Sequence, residues 1–213
     1  MSGRAPSGER RASWDARYEG QHPVWRGLQD LDLDMPAGSL VLELGCGDGK
    51  TLRSLLSSGH RAIGLDSSRG ALLACARRFP EQQRPWLVRG DLVSLPFATA
   101  SFDCLLAHHV LEHLYEGERT AAAAEIARVL KPSGRLDLRV FTIQDMRRGK
   151  GEEVEACTYL REGIPHHYFT EAEVLGLFPG FIYEAVRTEI KEKRFAGDVH
   201  ERAVIRARLR SPP

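Results

Sequence analysis

The sequence has few of the features that mark disulfide-rich, zinc-binding or membrane proteins. It has only four cysteines in 213 residues. They stand far apart with no C-x-x-C pair, so we expect reduced thiols and no zinc site. It has no run of about 18 apolar residues, the length that a membrane helix needs. Residues 1–12 are polar, unlike a secretory signal. We therefore expect a cytoplasmic protein that neither enters a membrane nor holds a metal.

Neither sign of charge dominates the chain. The chain has 30 Lys and Arg residues and 29 Asp and Glu residues, which gives a formal net charge of +1. This balance neither demands nor excludes a nucleic-acid partner. Residues 187–213 are locally basic, with eight basic and four acidic side chains. That excess fits either a phosphate contact or a solvated strand face.

The length suits one domain. A chain of 213 residues can bury one sizeable core but is short for two. We expect a disordered leader at residues 1–12, where Gly, Ser, Pro and Arg leave little to bury. A single domain is expected at 13–213. Its residues 13–37 predict helical pieces, and residues 142–169, which lack a clear period, predict a functional insertion.

From Ser39 onward, strand and helix patterns alternate along the chain. Such alternation predicts an α/β fold of the Rossmann-like kind, a parallel sheet with helices on both faces. The predicted strands are 39–45, 61–66, 86–90, 102–108 and 135–141, and the helices between them are 50–58, 68–78 and 118–130.

The last part of the chain has its own signals. Thr170, followed three residues later by Glu173, predicts a capping box and a short helix to about Phe178. Two further strands are predicted at 180–190 and 201–209, joined by a turn at Gly197 and Asp198.

A short apolar run that breaks into a glycine-rich turn indicates a nucleotide site. Residues 40–44 suit a buried parallel strand, and glycines 45, 47 and 49 follow them. Glycine permits a tight turn and close approach of a ligand to backbone. Glu43 and Asp48 beside the turn would repel a pyrophosphate but favour a cationic ligand. The turn therefore favours S-adenosylmethionine over NAD, and Lys50 in place of a third dinucleotide-type glycine agrees.

Five segments in order resemble class I S-adenosylmethionine-dependent methyltransferases. They are E-L-G-C-G-D-G at 43–49, R-A-I-G-L-D at 61–66, G-D-L at 90–92, the "LPF…SFD…HVLEH" segment at 95–114, and E-I-A-R-V-L-K-P-S-G at 125–134. Ser133 stands where a glycine is common. The resemblance implies a seven-stranded, mostly parallel sheet ending in a reversed hairpin. It also implies S-adenosyl-L-methionine as cofactor and the small-molecule "HVLEH" type of enzyme.

The resemblance and the turn together assign the cofactor contacts. Asp66, at a strand end, is expected to bind the ribose hydroxyls and Asp91 the adenine amino group. Glu43 either steadies the cofactor ammonium environment or bonds turn amides. The W-D-x-R-Y segment resembles a lid over the cofactor, although its aromatics fit ordinary packing equally. The full predicted set is Tyr18, Glu43, Gly45, Cys46, Gly47, Asp66, Ser67, Asp91, Leu92 and His108.

Histidines near the fourth strand are candidate proton acceptors. We expect His108 to line the pocket as the catalytic residue, although strand alternation turns either His108 or His109 into the flank of the sheet. His113 is expected to be structural. His166 and His167 in the insertion are rival candidates, and a metal site built from them lacks a third ligand.

Three functions remain open from the sequence. The first is methyl transfer to a small molecule, with RNA as an alternative acceptor because of the basic segments. The second is a non-catalytic cofactor-binding partner subunit. The third, NAD-dependent oxidoreduction, is disfavoured because no Tyr-x-x-x-Lys pair is present. The oligomeric state is left open.

Overall fold

The computed structural model describes residues 7–19, 31, 33, 35–195 and 198–213. Its helices are α1 (Ser7–Glu19), α2 (Lys50–Ser57), α3 (Arg69–Arg78), α4 (Glu116–Val129) and α5 (Glu171–Leu177). Its strands are β1 (Leu40–Leu44), β2 (Arg61–Asp66), β3 (Trp86–Arg89), β4 (Phe102–His108), β5 (Leu130–Phe141), β6 (Glu152–Glu155), β7 (Thr158–Arg161), β8 (Ile164–His167), β9 (Ile182–Phe195) and β10 (Asp198–Arg210). Short 3₁₀ turns occur at Glu81–Gln83 and Leu111–His113.

Seven strands form one sheet in the order β3-β2-β1-β4-β5-β10-β9. The first five are parallel to their neighbours, and β10 pairs antiparallel with both β5 and β9. The predicted α/β fold with a reversed C-terminal hairpin is therefore confirmed. The order of strands changes direction at β1, beside β4, which is where an open sheet of this kind forms its ligand crevice.

Four of the five residues of the central strand β1 are apolar, because both of its faces are covered. Leu42 and Leu44 pack into one core cluster with residues of α4, while Val41 packs into a second cluster with Leu52 and Leu55 of α2. All five side chains are fully buried. Successive residues of a strand point to opposite faces. A helix layer on each face therefore needs an unbroken apolar run rather than alternation.

The N-terminal segment differs from the prediction. Helix α1 begins at Ser7, so residues 7–12, which were expected to be disordered, are helical. Residues 1–6 of the expected leader, and residues 20–30, 32 and 34 of the expected N-terminal helices, lie outside the described part of the chain. No helix in that described part is long and apolar enough to span a bilayer.

The insertion contains a small antiparallel sheet that the sequence did not reveal. Strands β6, β7 and β8 form it in that order. Each has four residues, too few to show a period. The β7–β8 turn places Glu162 and Gly163 at φ 51° and 74°. Two consecutive positive φ values are those of a type I′ hairpin turn, for which Asn-Gly or Asp-Gly is the usual signal rather than Glu-Gly.

The predicted capping box is confirmed. Thr170 Oγ1 accepts from the Glu173 amide at 3.2 Å, and Glu173 Oε2 accepts from the Thr170 amide at 2.7 Å. The final two strands also form, and both are longer than predicted. Of the predicted turn between them, Gly197 lies outside the described residues.

Candidate active site

A pocket of about 700 Å³, its open mouth included, lies at the carboxyl ends of the central strands. Loops after β1, β2, β3 and β4 form its floor and wall, and α1 forms its roof. The floor consists of Gly45, Asp66, Ser67, Asp91, Leu92 and Val110; the wall consists of His109, His113 and Leu114; the roof consists of Arg10, Arg11, Trp14 and Tyr18. Six residues predicted from the sequence therefore line one pocket: Tyr18, Gly45, Asp66, Ser67, Asp91 and Leu92.

Glycine is required at two positions of the turn after β1. Gly45 and Gly47 have φ values of 65° and 54°, a region that side-chain-bearing residues avoid. A Cβ on Gly45 would lie 2.6 Å from Val110 Cγ2, and a Cβ on Gly47 would lie 2.6 Å from Tyr18 Oη. The turn is thus closely packed by Val110 on one side and by Tyr18 on the other.

Asp66 ties the glycine turn to the loop after β2. Its Oδ2 accepts from the Gly47 amide and its Oδ1 from the Ser68 amide, each at 2.9 Å. Burial raises the pKa of Asp66 above its usual value, although these hydrogen bonds oppose the shift. Each carboxylate oxygen can accept more than one hydrogen bond. Asp66 can therefore hold the turn and accept from a ligand hydroxyl in the pocket at the same time.

Asp91 lies on the floor of the same pocket, after β3. Its Oδ1 accepts from the Val93 amide at 3.3 Å. Its Oδ2 lies 3.7 Å from Arg11 Nη2 of the roof. An acid at this position can accept from an amino group that enters between the floor and α1.

Helix α1 is held over the pocket by polar contacts at two points. Asp15 Oδ1 accepts from Ser68 Oγ at 2.6 Å and from the Gly70 amide at 3.0 Å, at the start of α3. Arg10 donates to both carboxylate oxygens of Glu118 in α4, at 2.6 and 3.0 Å. Gly70 permits the close approach, because a Cβ there would lie 3.2 Å from the Asp15 carbonyl oxygen.

Two predicted cofactor contacts lie beneath the turn instead of in the pocket. The side chain of Glu43 is 4% exposed and bonds Thr51 and the Leu52 amide. Burial raises its pKa well above the usual value. Cys46 is equally buried and packs with Cys75 under the turn. Glu43 and Cys46 therefore pack beneath the turn, where no ligand in the pocket would contact them.

The assignment of His108 to the pocket is wrong. His108 Nε2 lies 2.5 Å from Asp137 Oδ1, its side chain is only 7% exposed, and it lies outside the pocket lining. Burial lowers its pKa, which leaves it neutral. The next residue, His109, leaves the strand with φ 56° and lines the pocket with 41% of its side chain exposed. Strand alternation required one of the two to face the flank, and that one is His108.

Aromatic rings and neutral imidazoles surround the wall of the pocket. His113 meets Trp14 edge-to-face at 5.0 Å and His166 at 4.9 Å. Burial lowers the pKa of His113, and it lowers that of His166 to about 3. His167 instead bonds Thr158 Oγ1 within the small sheet. In the described part of the chain, no group of three or more His, Cys, Asp or Glu side chains could hold a metal ion.

Sequence reasoning missed several lining residues. Arg10 and Arg11 lie in the segment expected to be disordered, and Trp14 was given no pocket role of its own beyond the possible lid. Val110 and Leu114 belong to the segment at 95–114 and look like ordinary core residues in the sequence. Only the long-range contacts of α1 place its residues over the floor.

The fold and the site together define a class I S-adenosylmethionine-dependent methyltransferase domain. The sheet order, the glycine turn and the acids on the pocket floor all agree with that class. Residues 42–138 match the family described as "Methyltransferase domain". The match covers somewhat less than half of the chain, and methyltransferases of class I use S-adenosylmethionine as their cofactor.

Curated relatives match only part of their own length. A demethylmenaquinone methyltransferase of Corynebacterium efficiens is 36% identical over 123 residues, which is 58% of this chain and 50% of the relative. A tRNA (carboxymethyluridine(34)-5-O)-methyltransferase of Xenopus tropicalis is 30% identical over 144 residues, 67% of this chain and 21% of the relative. The chain thus spans about half the length of the demethylmenaquinone methyltransferases that it matches.

Solved structures share the fold over most of the chain. An S-adenosylmethionine-dependent methyltransferase of Methanosarcina mazei has a TM-score of 0.71 at 24% identity, covering 84% of this chain and 94% of its own. The Burkholderia thailandensis 1,6-didemethyltoxoflavin-N1-methyltransferase, solved with its substrate and S-adenosylhomocysteine, has a TM-score of 0.61 at 21% identity, covering 83% of this chain and 72% of its own.

Proposed function

We propose that this protein transfers a methyl group from S-adenosylmethionine to a small-molecule acceptor. The observation that carries the proposal is Asp66, which is bonded to the Gly47 and Ser68 amides and open to the pocket. A carboxylate fixed by two amides can bind a ribose hydroxyl without reorganising. Two matched proteins also bear the names of enzymes for small ring compounds, demethylmenaquinone and 1,6-didemethyltoxoflavin.

The residues of the pocket fit this cofactor. Asp66 and Asp91 make the floor anionic, which favours a ligand with ammonium and sulfonium charges. Two roof arginines would oppose such a ligand. Arg10 is neutralised by its pair with Glu118, and Arg11 lies 3.7 Å from Asp91. Because Gly45 has no side chain, an adenosyl group can approach the backbone at this point of the floor.

The chain itself binds, orients and shields the reactants. S-adenosylmethionine supplies a methyl group already activated on sulfur, with a neutral thioether as leaving group. Asp66 would bind its ribose and Asp91 its adenine amino group, while Tyr18 and Trp14 cover the pocket from α1. Holding two reactants in one geometry and excluding water account for much of the rate enhancement that such a transfer needs.

Calorimetry and a labelled methyl donor test the proposal. The protein is expected to bind S-adenosylmethionine and S-adenosylhomocysteine. With radiolabelled donor and size-fractionated extract, label should enter small molecules and resist nuclease and protease. Absence of binding to either form of the cofactor by folded protein would refute the proposal. Binding without any turnover would favour the non-catalytic partner.

We infer RNA as the second candidate acceptor, because the outer strands carry a row of arginines. Arg139 of β5, Arg206 of β10 and Arg187 of β9 are directly opposite one another in register. They line a groove of about 440 Å³ on the sheet. Like charges directly opposite each other are unfavourable. Glu189 lies 3.0 Å from Arg187 and 2.9 Å from Arg206 and offsets part of this charge, and a phosphate would offset more of it. One matched relative is named as a tRNA methyltransferase.

Salt and nuclease separate the two acceptors. An RNA acceptor requires that label be released by nuclease and that binding weaken steeply with added salt. The double variant Arg187→Gln, Arg206→Gln should then bind RNA with an affinity that depends less steeply on salt. Label that stays in small molecules, unchanged by the double variant, would exclude RNA.

A further inference from the structure

A histidine–carboxylate pair stands at the wall of the pocket and has no part in holding the cofactor floor. His109 Nδ1 lies 3.0 Å from Glu112 Oε1. The imidazole is 41% exposed and lines the pocket, whereas the Glu112 side chain is 0% exposed. The pair thus joins a group that a ligand can reach to a charge that solvent cannot reach.

Glu112 has little besides His109 to compensate its burial. Among the described residues, its second oxygen, Oε2, has no hydrogen-bond partner, and its one ion-pair contact is with His109. A buried carboxylate without a fixed cation is costly. A positive charge formed on the His109 ring during the reaction would therefore lie directly against this carboxylate.

The pair also selects one tautomer of the ring. When Glu112 is ionised, its oxygens only accept hydrogen bonds, so Nδ1 carries the hydrogen and Nε2 keeps its lone pair. His109 lines the pocket, and Nε2 is the ring nitrogen that Glu112 does not occupy.

The other charged and titratable groups near the ring are few. His113 lies on the same segment, His108 precedes it, and Arg147 rests 3.8 Å above the centre of Phe141. The His109 ring packs on Phe141 at 4.8 Å, tilted by 30°. Arg147 is neutralised by Asp145 at 2.6 Å, and burial keeps His108 and His113 neutral. Among the described residues, Glu112 is the charged side chain in direct contact with the His109 ring nitrogen.

Backbone geometry supports a fixed role for this residue. His109 has φ 56°, a left-handed conformation that is strained for a residue with a side chain. The next residue, Val110, packs on the cofactor turn, since a Cβ on Gly45 would lie 2.6 Å from its Cγ2. The unusual backbone thus brings the imidazole beside the floor where the methyl donor would bind.

We propose that His109, oriented by Glu112, is the general base of the reaction and that the acceptor is an aromatic hydroxyl, a phenol or an enol. This rests on the proposed methyl transfer. The O–H bond of the acceptor breaks as its proton passes to Nε2. The oxygen lone pair forms the bond to the methyl carbon, and the electron pair of the broken carbon–sulfur bond stays on sulfur. Glu112 stabilises the imidazolium that results.

The walls of the pocket agree with a flat acceptor. Trp14 and His113 form an edge-to-face pair beside His109, and Val110 and Leu114 add apolar surface. Aromatic and apolar walls with one polar acceptor atom suit a planar ring that carries a hydroxyl group.

The first experiment reads the ring nitrogens of His109 by NMR in the full chain, and it needs no turnover. The expected result is the Nδ1–H form in the wild type, with Glu112→Gln shifting the ring toward the other tautomer. A wild-type ring that carries its hydrogen on Nε2 would overturn the proposal. A tautomer that does not change in Glu112→Gln would overturn it as well. Because no cofactor is required, this outcome is independent of whether the protein is a methyltransferase.

The second experiment uses 4-nitrophenol, whose anion absorbs visible light, with protein saturated by S-adenosylhomocysteine. The wild type should ionise the bound phenol at a pH where free phenol stays protonated. His109→Asn should abolish the anion band, because asparagine tolerates a positive φ but accepts no proton. The control variant His108→Asn, which changes the buried pair with Asp137, should keep the anion band. No anion band in the wild type, or an equal band in His109→Asn, would contradict the assignment.

Calorimetry with S-adenosylhomocysteine completes the set. His109→Asn should bind this product within about twofold of the wild type, because the proposed cofactor contacts lie on the pocket floor and His109 lies on the wall. If neither protein binds it, the proposed function fails while the NMR result on the pair still stands. If only the variant loses binding, His109 is a cofactor contact and the base assignment is wrong.

Discussion

Replacing Gly47 by alanine should reveal whether α1 really covers the glycine turn. The new Cβ would lie 2.6 Å from Tyr18 Oη, whereas the next atom of that ring, Cζ, is 3.6 Å away. The first distance is a severe clash and the second is an ordinary contact. A second change, Tyr18→Phe, removes only the clashing oxygen. The cost of the alanine should therefore depend on the residue at position 18.

The magnitude follows from two separate costs. Alanine at φ 54° pays roughly 1–2 kcal/mol for the left-handed backbone. Pushing aside a packed ring adds about 1–3 kcal/mol, because Tyr18 lies on a helix that Asp15 fixes to Ser68 and Gly70. Gly47→Ala should thus cost about 2–5 kcal/mol with tyrosine present, but only about 1–2 kcal/mol with phenylalanine.

Urea unfolding of the four proteins measures this difference as a double-mutant cycle. The cycle cancels any other contact of the Tyr18 hydroxyl, since that contact is lost on both sides. We expect a coupling free energy of about 1 kcal/mol or more. Equal destabilisation by Gly47→Ala in both backgrounds would refute the placement of Tyr18 over the turn, and with it the roof of the pocket.

Three further changes test the floor and the scaffold. Asp66→Asn should weaken S-adenosylhomocysteine binding by about 1–3 kcal/mol; an unchanged calorimetric dissociation constant would contradict the ribose role. Burial raises the pKa of Asp145, but hydrogen bonds from Arg147 outweigh it and hold that pKa below its usual value. The ionised acid therefore stabilises the fold above about pH 4, and this is lost as pH falls through its lowered pKa. Asp145→Asn should destabilise the protein at neutral pH and converge with the wild type in acid, as judged by urea unfolding. Thr170→Ala should cost about 1 kcal/mol of unfolding free energy, while the control Thr170→Ser keeps the cap; equal losses would rule out the capping hydroxyl.

Local signals in the sequence were enough to predict the central sheet. The apolar run at 40–44 and the glycines after it determine a strand and a turn within a few neighbouring residues. Asp66 and Asp91 could be placed because parallel strands end at one edge, so residues after different strands meet there. These predictions needed only the order of elements and no knowledge of which side chains pack together.

The roof of the pocket could not be predicted because its contacts join distant residues. Arg10 bonds Glu118, 108 positions away, and Asp15 bonds Ser68, 53 positions away. Residues 7–12 are polar and look disordered when judged by composition alone. Their helix is stabilised by partners on α3 and α4, which no local pattern indicates.

The choice between His108 and His109 shows where pattern reasoning stops. Period-two alternation fixes only that adjacent residues face opposite ways. Glu112 could have decided the matter, but its meaning depends on the turn that follows the strand. Residues three and four positions apart both share a helix face, so spacing alone would allow Glu112 to pair with either His109 or His108. In the structure, the chain leaves β4 with φ 56° at His109, and Glu112, within the turn Leu111–His113, meets His109. The residue that faces the pocket is therefore set by the backbone conformation at His109, which no local pattern in the sequence indicates.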